Sequence, residues 1–168
     1  MKLLSFVIPC YRSEKTIKKV IEEIDKTVVQ KEGYDYEIIA INDCSPDKVY
    51  DVLVEMAKGN YRVKVINFAK NMGKHSAVMA GYSVAKGEYI VNLDDDYQCP
   101  VNELWKLIDP LEKDECDVAT AKYYKKKEIW YKKIGSDINL KMTELLLDKP
   151  KNVRMENFSA LKRFVCLE

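Results

Sequence analysis

The sequence predicts an α/β domain built on a mostly parallel sheet with helices on both faces. Three observations predict it. Short apolar runs alternate with stretches whose apolar residues recur at helical spacing. The runs are apolar on successive residues, as strands buried on both faces are. Polar and charged residues gather directly after several runs, where ligands sit in open parallel sheets.

Leu3-Leu4-Ser5-Phe6-Val7-Ile8 is a first strand stopped by Pro9, and Ile17, Val20, Ile21, Ile24 and Val28 then mark a helix. Tyr36 to Asn42 reads as the second strand. Pro46 stands near the start of a helix with Val49, Val52, Leu53 and Met56 on one face, and Gly59-Asn60 ends it. Val63 to Asn67 is the third strand, about Lys74 to Ala85 the third helix, Tyr89 to Leu93 the fourth strand and Pro100 to Leu111 the fourth helix. Asp117 to Ala121 makes a fifth strand. After Ala121 the alternation fades into a basic, aromatic stretch and a helix reaching Leu147.

The 168 residues, 47% hydrophobic and 33% charged, suit one soluble domain with a sizeable core. A formal net charge of +1 supplies no global field toward nucleic acid, so nucleic acid is not expected as a partner. Basic residues outnumber acidic ones from Lys122 onward. The five cysteines are isolated, without the paired spacing of a zinc site or a disulfide framework, and fit a reducing setting. No signal peptide is evident, and no apolar run approaches the length of a membrane-spanning helix.

The strand ends bring together Tyr11 and Glu14, then Asn42 and Asp43, then Asn71, Gly73 and Lys74, then Asp94, Asp95, Asp96 and Gln98. Three consecutive carboxylates repel one another unless a hard divalent cation lies among them, and Asp94 and Asp96 with the Gln98 amide oxygen suit Mg²⁺ or Mn²⁺. Because such a cation is usually held by one or two carboxylates plus phosphate oxygens, the expected ligand carries phosphates. The same triplet also reads as a solvated turn capping the helix after Pro100. Asn71-Met72-Gly73-Lys74 leads a glycine turn into a helix start, suited to an anion with Lys74 as added cation, though on these residues alone a plain turn is the stronger reading. It lacks the Walker pattern, which argues against a P-loop ATPase. His75, the only histidine, is not nominated as a base. Ala77, Ala80 and Gly81 read as close packing of helix on sheet.

Taken together, "FVIPCYRSE", "YEIIAINDCSPD", "NFAKNMGKHSAVMAGYSVAKGEYIVNLDDDYQCPVNEL" and "CDVATAKYY" resemble, in order and spacing, the inverting glycosyltransferases of family 2 with the GT-A fold. The later motifs are similar to the polyisoprenyl-phosphate branch, which includes dolichol-phosphate mannose synthases and undecaprenyl-phosphate formamido-arabinose transferases. The resemblance implies that Pro9, Tyr11 and Glu14 line a nucleotide-base pocket and that Asp43 hydrogen-bonds the base. It implies that Asp94 and Asp96 are the catalytic carboxylates holding Mg²⁺ or Mn²⁺ on the donor diphosphate, that Gln98 completes the metal site, and that Asp95 and Lys74 belong to the donor-binding set. Lys122 and Lys132 are the expected acceptor-phosphate contacts. The implied cation neutralises a nucleoside-diphosphate leaving group.

Several positions depart from the family pattern. Tyr11-Arg12-Ser13-Glu14 carries a cation where many relatives have Asn, with the acid one place later; Asn42-Asp43-Cys44-Ser45 replaces D-D-G-S. Lys122 and Lys132 stand where Arg is expected and lose its bidentate fork. Asn157 stands where many relatives carry a catalytic Asp. A polyprenyl phosphate is anionic near neutral pH, so its transfer depends more on orientation and leaving-group stabilisation than on a base. Trp130-Tyr131-Lys132-Lys133 fits a helix at an anionic membrane surface, and equally an ordinary surface helix.

The expected protein is a single catalytic domain over 1–168, with a nucleotide-sugar-binding core over 1–122 and an acceptor or membrane-surface region over 123–168, shortened at its C-terminus. Its expected partners are a nucleoside-diphosphate sugar, a polyprenyl phosphate and the cytoplasmic side of a membrane. Transfer to a saccharide acceptor and a non-catalytic nucleotide-sugar-binding domain are the alternatives. A glycoside hydrolase ranks low, because its paired carboxylates flank the sugar from separated positions.

Overall fold

The computed structural model of the chain describes residues 1–121 and 157–166. In chain order the elements are β1 (Lys2–Cys10), α1 (Ile17–Val29), β2 (Tyr34–Asn42), α2 (Val49–Gly59), β3 (Val63–Asn67), α3 (Lys74–Val84), β4 (Tyr89–Asn92), α4 (Leu104–Glu112), β5 (Val118–Thr120) and β6 (Ser159–Lys162). Short 3-10 turns precede α4 and follow β6. The strands form one sheet in the order β3-β2-β1-β4-β6-β5. β1 to β4 pair in parallel, and β6 runs antiparallel to both β4 and β5.

Branched apolar side chains on both faces of the strands explain the depth of the sheet. Leu4, Phe6, Ile8, Ile38 and Ala40 are fully buried on one face, and Val7, Ile39 and Ile41 on the other. The second set packs with Ala77 of α3 and with Ala85 just past its end. Gly81 lets α3 come closer still: a Cβ there would lie 2.4 Å from the Val7 side chain. Ala77 is fully buried as well, whereas Ala80 is only partly covered. From β1 to β3 the chain steps one way across the sheet, and from β3 to β4 it steps back past β1. Right-handed crossovers therefore require α3 on the face opposite α1 and α2.

The sequence expectation ended the first strand at Pro9, but β1 continues to Cys10. The register explains why. Leu93 donates its N–H to the Val7 carbonyl, and Asp43 donates to the Cys10 carbonyl. Odd-numbered backbone groups of β1 thus face β4 and even-numbered ones face β2. The N–H that Pro9 lacks would point at β4, which has already ended level with Val7. A second departure is β6. The core sheet takes in Ser159–Lys162, beyond the boundary at 122 expected from sequence, because this short segment is held by antiparallel pairing to two strands remote in the chain. The expected helix to Leu147 lies outside the described residues. Among the described residues no helix is long and apolar enough to cross a membrane.

Candidate active site

The strand order reverses between β1 and β4, and a crevice opens there at the carboxyl ends of the strands. β4 stops level with Val7 while β1 runs on to Cys10, so the segment after β4 passes beside the end of β1. A cavity of about 350 Å³ occupies the gap, lined by Pro9, Cys10 and Tyr11 from β1, Asp43 after β2, Asn71, Gly73 and Lys74 at the start of α3, and Asp94, Asp95 and Asp96 after β4. Seven of the residues singled out from sequence as catalytic or donor-binding therefore meet at one place: Pro9, Tyr11, Asp43, Lys74, Asp94, Asp95 and Asp96.

A closed circuit of polar contacts joins these loops. Asp43 is buried, and its two carboxylate oxygens accept the backbone N–H groups of Met72 (2.7 Å) and Gly73 (2.9 Å). Asn71 donates its side-chain amide to the Asp43 carbonyl at 3.1 Å. Gly73 takes φ +83°, a conformation that a side chain disfavours, and α3 begins at the next residue. That residue is Lys74, whose ammonium pairs with Asp94 Oδ1 across the cavity. Beside it, Asp95 Oδ2 accepts the Tyr11 N–H at 2.9 Å and ties β4 to β1. Burial pushes the Asp95 carboxyl above its usual range, and the neighbouring Asp94 adds to the rise. Burial also pushes up the Cys10 thiol.

Strained backbone is concentrated here. Arg12, Cys44 and Tyr97 all occupy the left-handed region without being glycine, a clustering found at sites whose surroundings hold them. Arg12 donates its N–H to Ser45 Oγ at 2.8 Å, and its guanidinium lies 5.4 Å from the centre of the Tyr11 ring.

Two sequence-predicted residues stand apart from the cavity lining. The Glu14 carboxylate accepts the Lys48 N–H at 2.9 Å at the start of α2, while its own N–H goes to Asp47 Oδ2 at 2.9 Å. Gln98 is exposed and donates its backbone N–H to Asp96 Oδ1 at 3.0 Å. Asn42, in place of a family carboxylate, is buried and joins β2 to β3 through a 2.7 Å bond to Asn67. Asn157 precedes β6 on the same edge of the sheet as Asp94, because Ser159 pairs with Asn92. Lys122, Lys132 and the Trp130–Lys133 stretch lie outside the described residues.

Sequence reasoning missed Cys10 as a lining residue, although its place between Pro9 and Tyr11 at a strand end was the available signal. It also missed the grip of Asp43 on the 72–73 backbone, for which spacing carries no signal. Among the described residues no three His, Cys, Asp or Glu side chains form a preassembled metal cage. The oxygen donors of Asp94 and Asp96 on one cavity wall nevertheless suit a hard cation that takes its remaining ligands from phosphate and water.

The family model described as Glycosyl transferase family 2 matches residues 5–166. The chain is 30% identical over 162 residues to the undecaprenyl-phosphate 4-deoxy-4-formamido-L-arabinose transferase of Proteus mirabilis, covering 95% of this chain and 48% of that protein. Among solved structures it is similar to mannosyl-3-phosphoglycerate synthase from Rubrobacter xylanophilus, with a TM-score of 0.77 and 17% identity over 98% of this chain and 54% of that one. It is likewise similar to glucosyl-3-phosphoglycerate synthase from Mycobacterium tuberculosis in complex with Mn²⁺ and UDP-glucose, with a TM-score of 0.73 and 19% identity over 98% of this chain and 57% of that one. These likenesses show the GT-A fold. The chain spans about half the length of the relatives it matches.

Proposed function

The chain belongs to glycosyl transferase family 2, and from that premise we propose that it transfers a sugar, with inversion, from a nucleoside-diphosphate sugar to a polyprenyl phosphate in cell-envelope or glycan synthesis. The observation that carries this reading is the one cavity in which Asp94, Asp96 and Lys74 meet Tyr11 and Asp43. The 30% identity to a transferase named for undecaprenyl phosphate supports the lipid acceptor.

In this reading a phosphate oxygen of the acceptor attacks the anomeric carbon from the face opposite the leaving diphosphate. The new carbon–oxygen bond forms as the old one breaks, and negative charge collects on the departing nucleoside diphosphate. Asp94 and Asp96 would hold a divalent cation, Mg²⁺ or Mn²⁺, whose chemistry is to neutralise that charge. Lys74, on the rigid start of α3, adds a second positive group on the same side. Tyr11 and Pro9 supply an apolar wall for the base, and the Asp95 bond to the Tyr11 backbone keeps that wall in register with the carboxylates. An acceptor that is already anionic needs no proton removed, which agrees with Asn157 where relatives carry Asp.

Lys122 and Lys132 as acceptor-phosphate contacts, and Trp130–Lys133 at the cytoplasmic membrane surface, remain part of the proposal. So does the description of 1–168 as one catalytic domain with its donor-binding core over 1–122, now joined by β6. The test is to incubate the protein with UDP- and GDP-sugars and a short polyprenyl phosphate, with and without Mn²⁺, and to follow glycolipid by mass spectrometry. Metal-dependent glycolipid that disappears in Asp96→Ala is the expected result. Donor binding without glycolipid would overturn the lipid-acceptor assignment.

A further inference from the structure

We propose that Lys74 is the resident counter-ion of Asp94, and that it gives up this carboxylate to the incoming divalent cation and passes to the donor's diphosphate. The inference rests on the donor-site reading above and concerns how that site is prepared.

Lys74 is the first residue of α3, where the helix dipole is positive and a cation is disfavoured unless an anion faces it. Asp94 is that anion. Its side chain is only 19% exposed, and Asp95 and Asp96 follow it directly, so without a cation its charge would stand among like charges with little solvent. The lysine does not reach it by chance of a long side chain alone. Asp43 holds the two residues before it by their backbone N–H groups, Gly73 makes the turn, and Gly81 seats the helix against Val7. The ammonium is thus delivered to one wall of the cavity by a supported backbone, while its four-carbon stem leaves it free to re-aim. It is also 47% exposed, so it leaves Asp94 without first being unburied.

A divalent cation on Asp94 and an ammonium on the same carboxylate repel each other strongly at such close range. The two therefore compete until a diphosphate arrives. The diphosphate offers the ammonium an alternative anion and the cation its missing oxygen ligands. Nucleotide and metal should accordingly strengthen each other's binding, with Lys74 as one source of the coupling.

The test compares wild type with Lys74→Met and Lys74→Arg by calorimetry, first titrating Mn²⁺ alone, then UDP and GDP at saturating Mn²⁺, with melting curves to confirm folding. The effects expected of Lys74→Met have opposite signs. Affinity for Mn²⁺ alone rises about two- to fivefold, the scale set by losing a partly exposed ion pair. Affinity for the nucleotide in the presence of Mn²⁺ falls about tenfold, as a lost charge-assisted contact predicts. Lys74→Arg keeps the wild-type Mn²⁺ affinity. Unchanged or weaker binding of Mn²⁺ alone by Lys74→Met, with normal wild-type binding, overturns the exchange and leaves the donor site standing. A wild-type protein that binds neither Mn²⁺ nor nucleotide overturns the donor-site reading and the exchange with it.

Discussion

Glu37 and Asp95 are carboxylates associated with the same sheet, and they are held in contrasting ways. Glu37 lies low on β2, 5% exposed. One oxygen accepts the Ser5 hydroxyl at 2.6 Å and the Lys86 N–H at 2.7 Å, and the other pairs with the Lys64 ammonium. Ser5 in turn accepts the Gly87 N–H at 2.8 Å. Burial alone would push the Glu37 carboxyl up, but Lys64, Ser5 and the Lys86 N–H outweigh it and hold it below the usual range. Asp95, at the other end of the strands, accepts a backbone N–H from Tyr11, but burial, with Asp94 adding to it, holds its carboxyl above that range.

The lower network is satisfied by groups of the chain itself, so its charge contributes to folding. Asp95 keeps its charge against the pull of burial, a cost that makes sense where a positive ligand is to be bound. Substitutions at the two ends should therefore separate cleanly into losses of binding and losses of stability.

The largest effect belongs to the upper end. Asp96→Asn should lower metal-dependent transfer by on the order of 10²–10³, the scale of removing a group that stabilises leaving charge, while the melting temperature stays close to that of wild type. A parallel collapse in stability would break the contrast. At the lower end, Glu37→Ala should cost about 2 kcal/mol in urea unfolding, since it leaves the Ser5 hydroxyl and the Lys86 N–H without their acceptor. Donor affinity of the protein that remains folded should be unchanged.

The pH dependence has a definite sign. Because the folded-state value of Glu37 is depressed, its contribution is complete above the unfolded carboxylate value of about 4.3 and is lost as pH falls through the lower folded value. The acid limb of a stability–pH curve should therefore flatten in Glu37→Gln. Gly81→Ala should cost about 1–2 kcal/mol, because the added methyl meets Val7 inside the α3 contact, and thermal melts would register it. The smallest change sharpens the comparison most. Asp95→Asn keeps an oxygen for the Tyr11 N–H but removes a charge from the acidic cluster, and should raise the melting temperature by about 1–2 °C while weakening donor binding.

Much of this architecture is legible in the sequence because β1 to β4 are apolar on both faces and α1, α2 and α4 keep an amphipathic period, whereas α3 buries only Ala77 and Gly81 and is marked mainly by the glycine turn before it. Periodicity thus locates the strand ends, and with them Tyr11, Asp43, Lys74 and Asp94. β6 is not legible in this way. Ser159-Ala160-Leu161-Lys162 has little strand character of its own, and its conformation comes from pairing with β4 and β5, a contribution that only the tertiary structure supplies. The partners of polar groups are equally hidden. Spacing brings Glu14 to the correct loop, but only the fold shows its carboxylate turned to the Lys48 N–H rather than into the cavity. The same holds for Asp43, whose position was readable and whose grip on Met72 and Gly73 was not.

The measurement that tests the donor site most directly is calorimetric titration of UDP and GDP, with and without Mn²⁺, on the wild-type protein and on Asp96→Ala. The account predicts that one of the two nucleotides binds, that Mn²⁺ strengthens its binding, and that this enhancement is lost in the variant. Failure of both nucleotides to bind the wild-type protein, or an enhancement by Mn²⁺ that survives in Asp96→Ala, would contradict it.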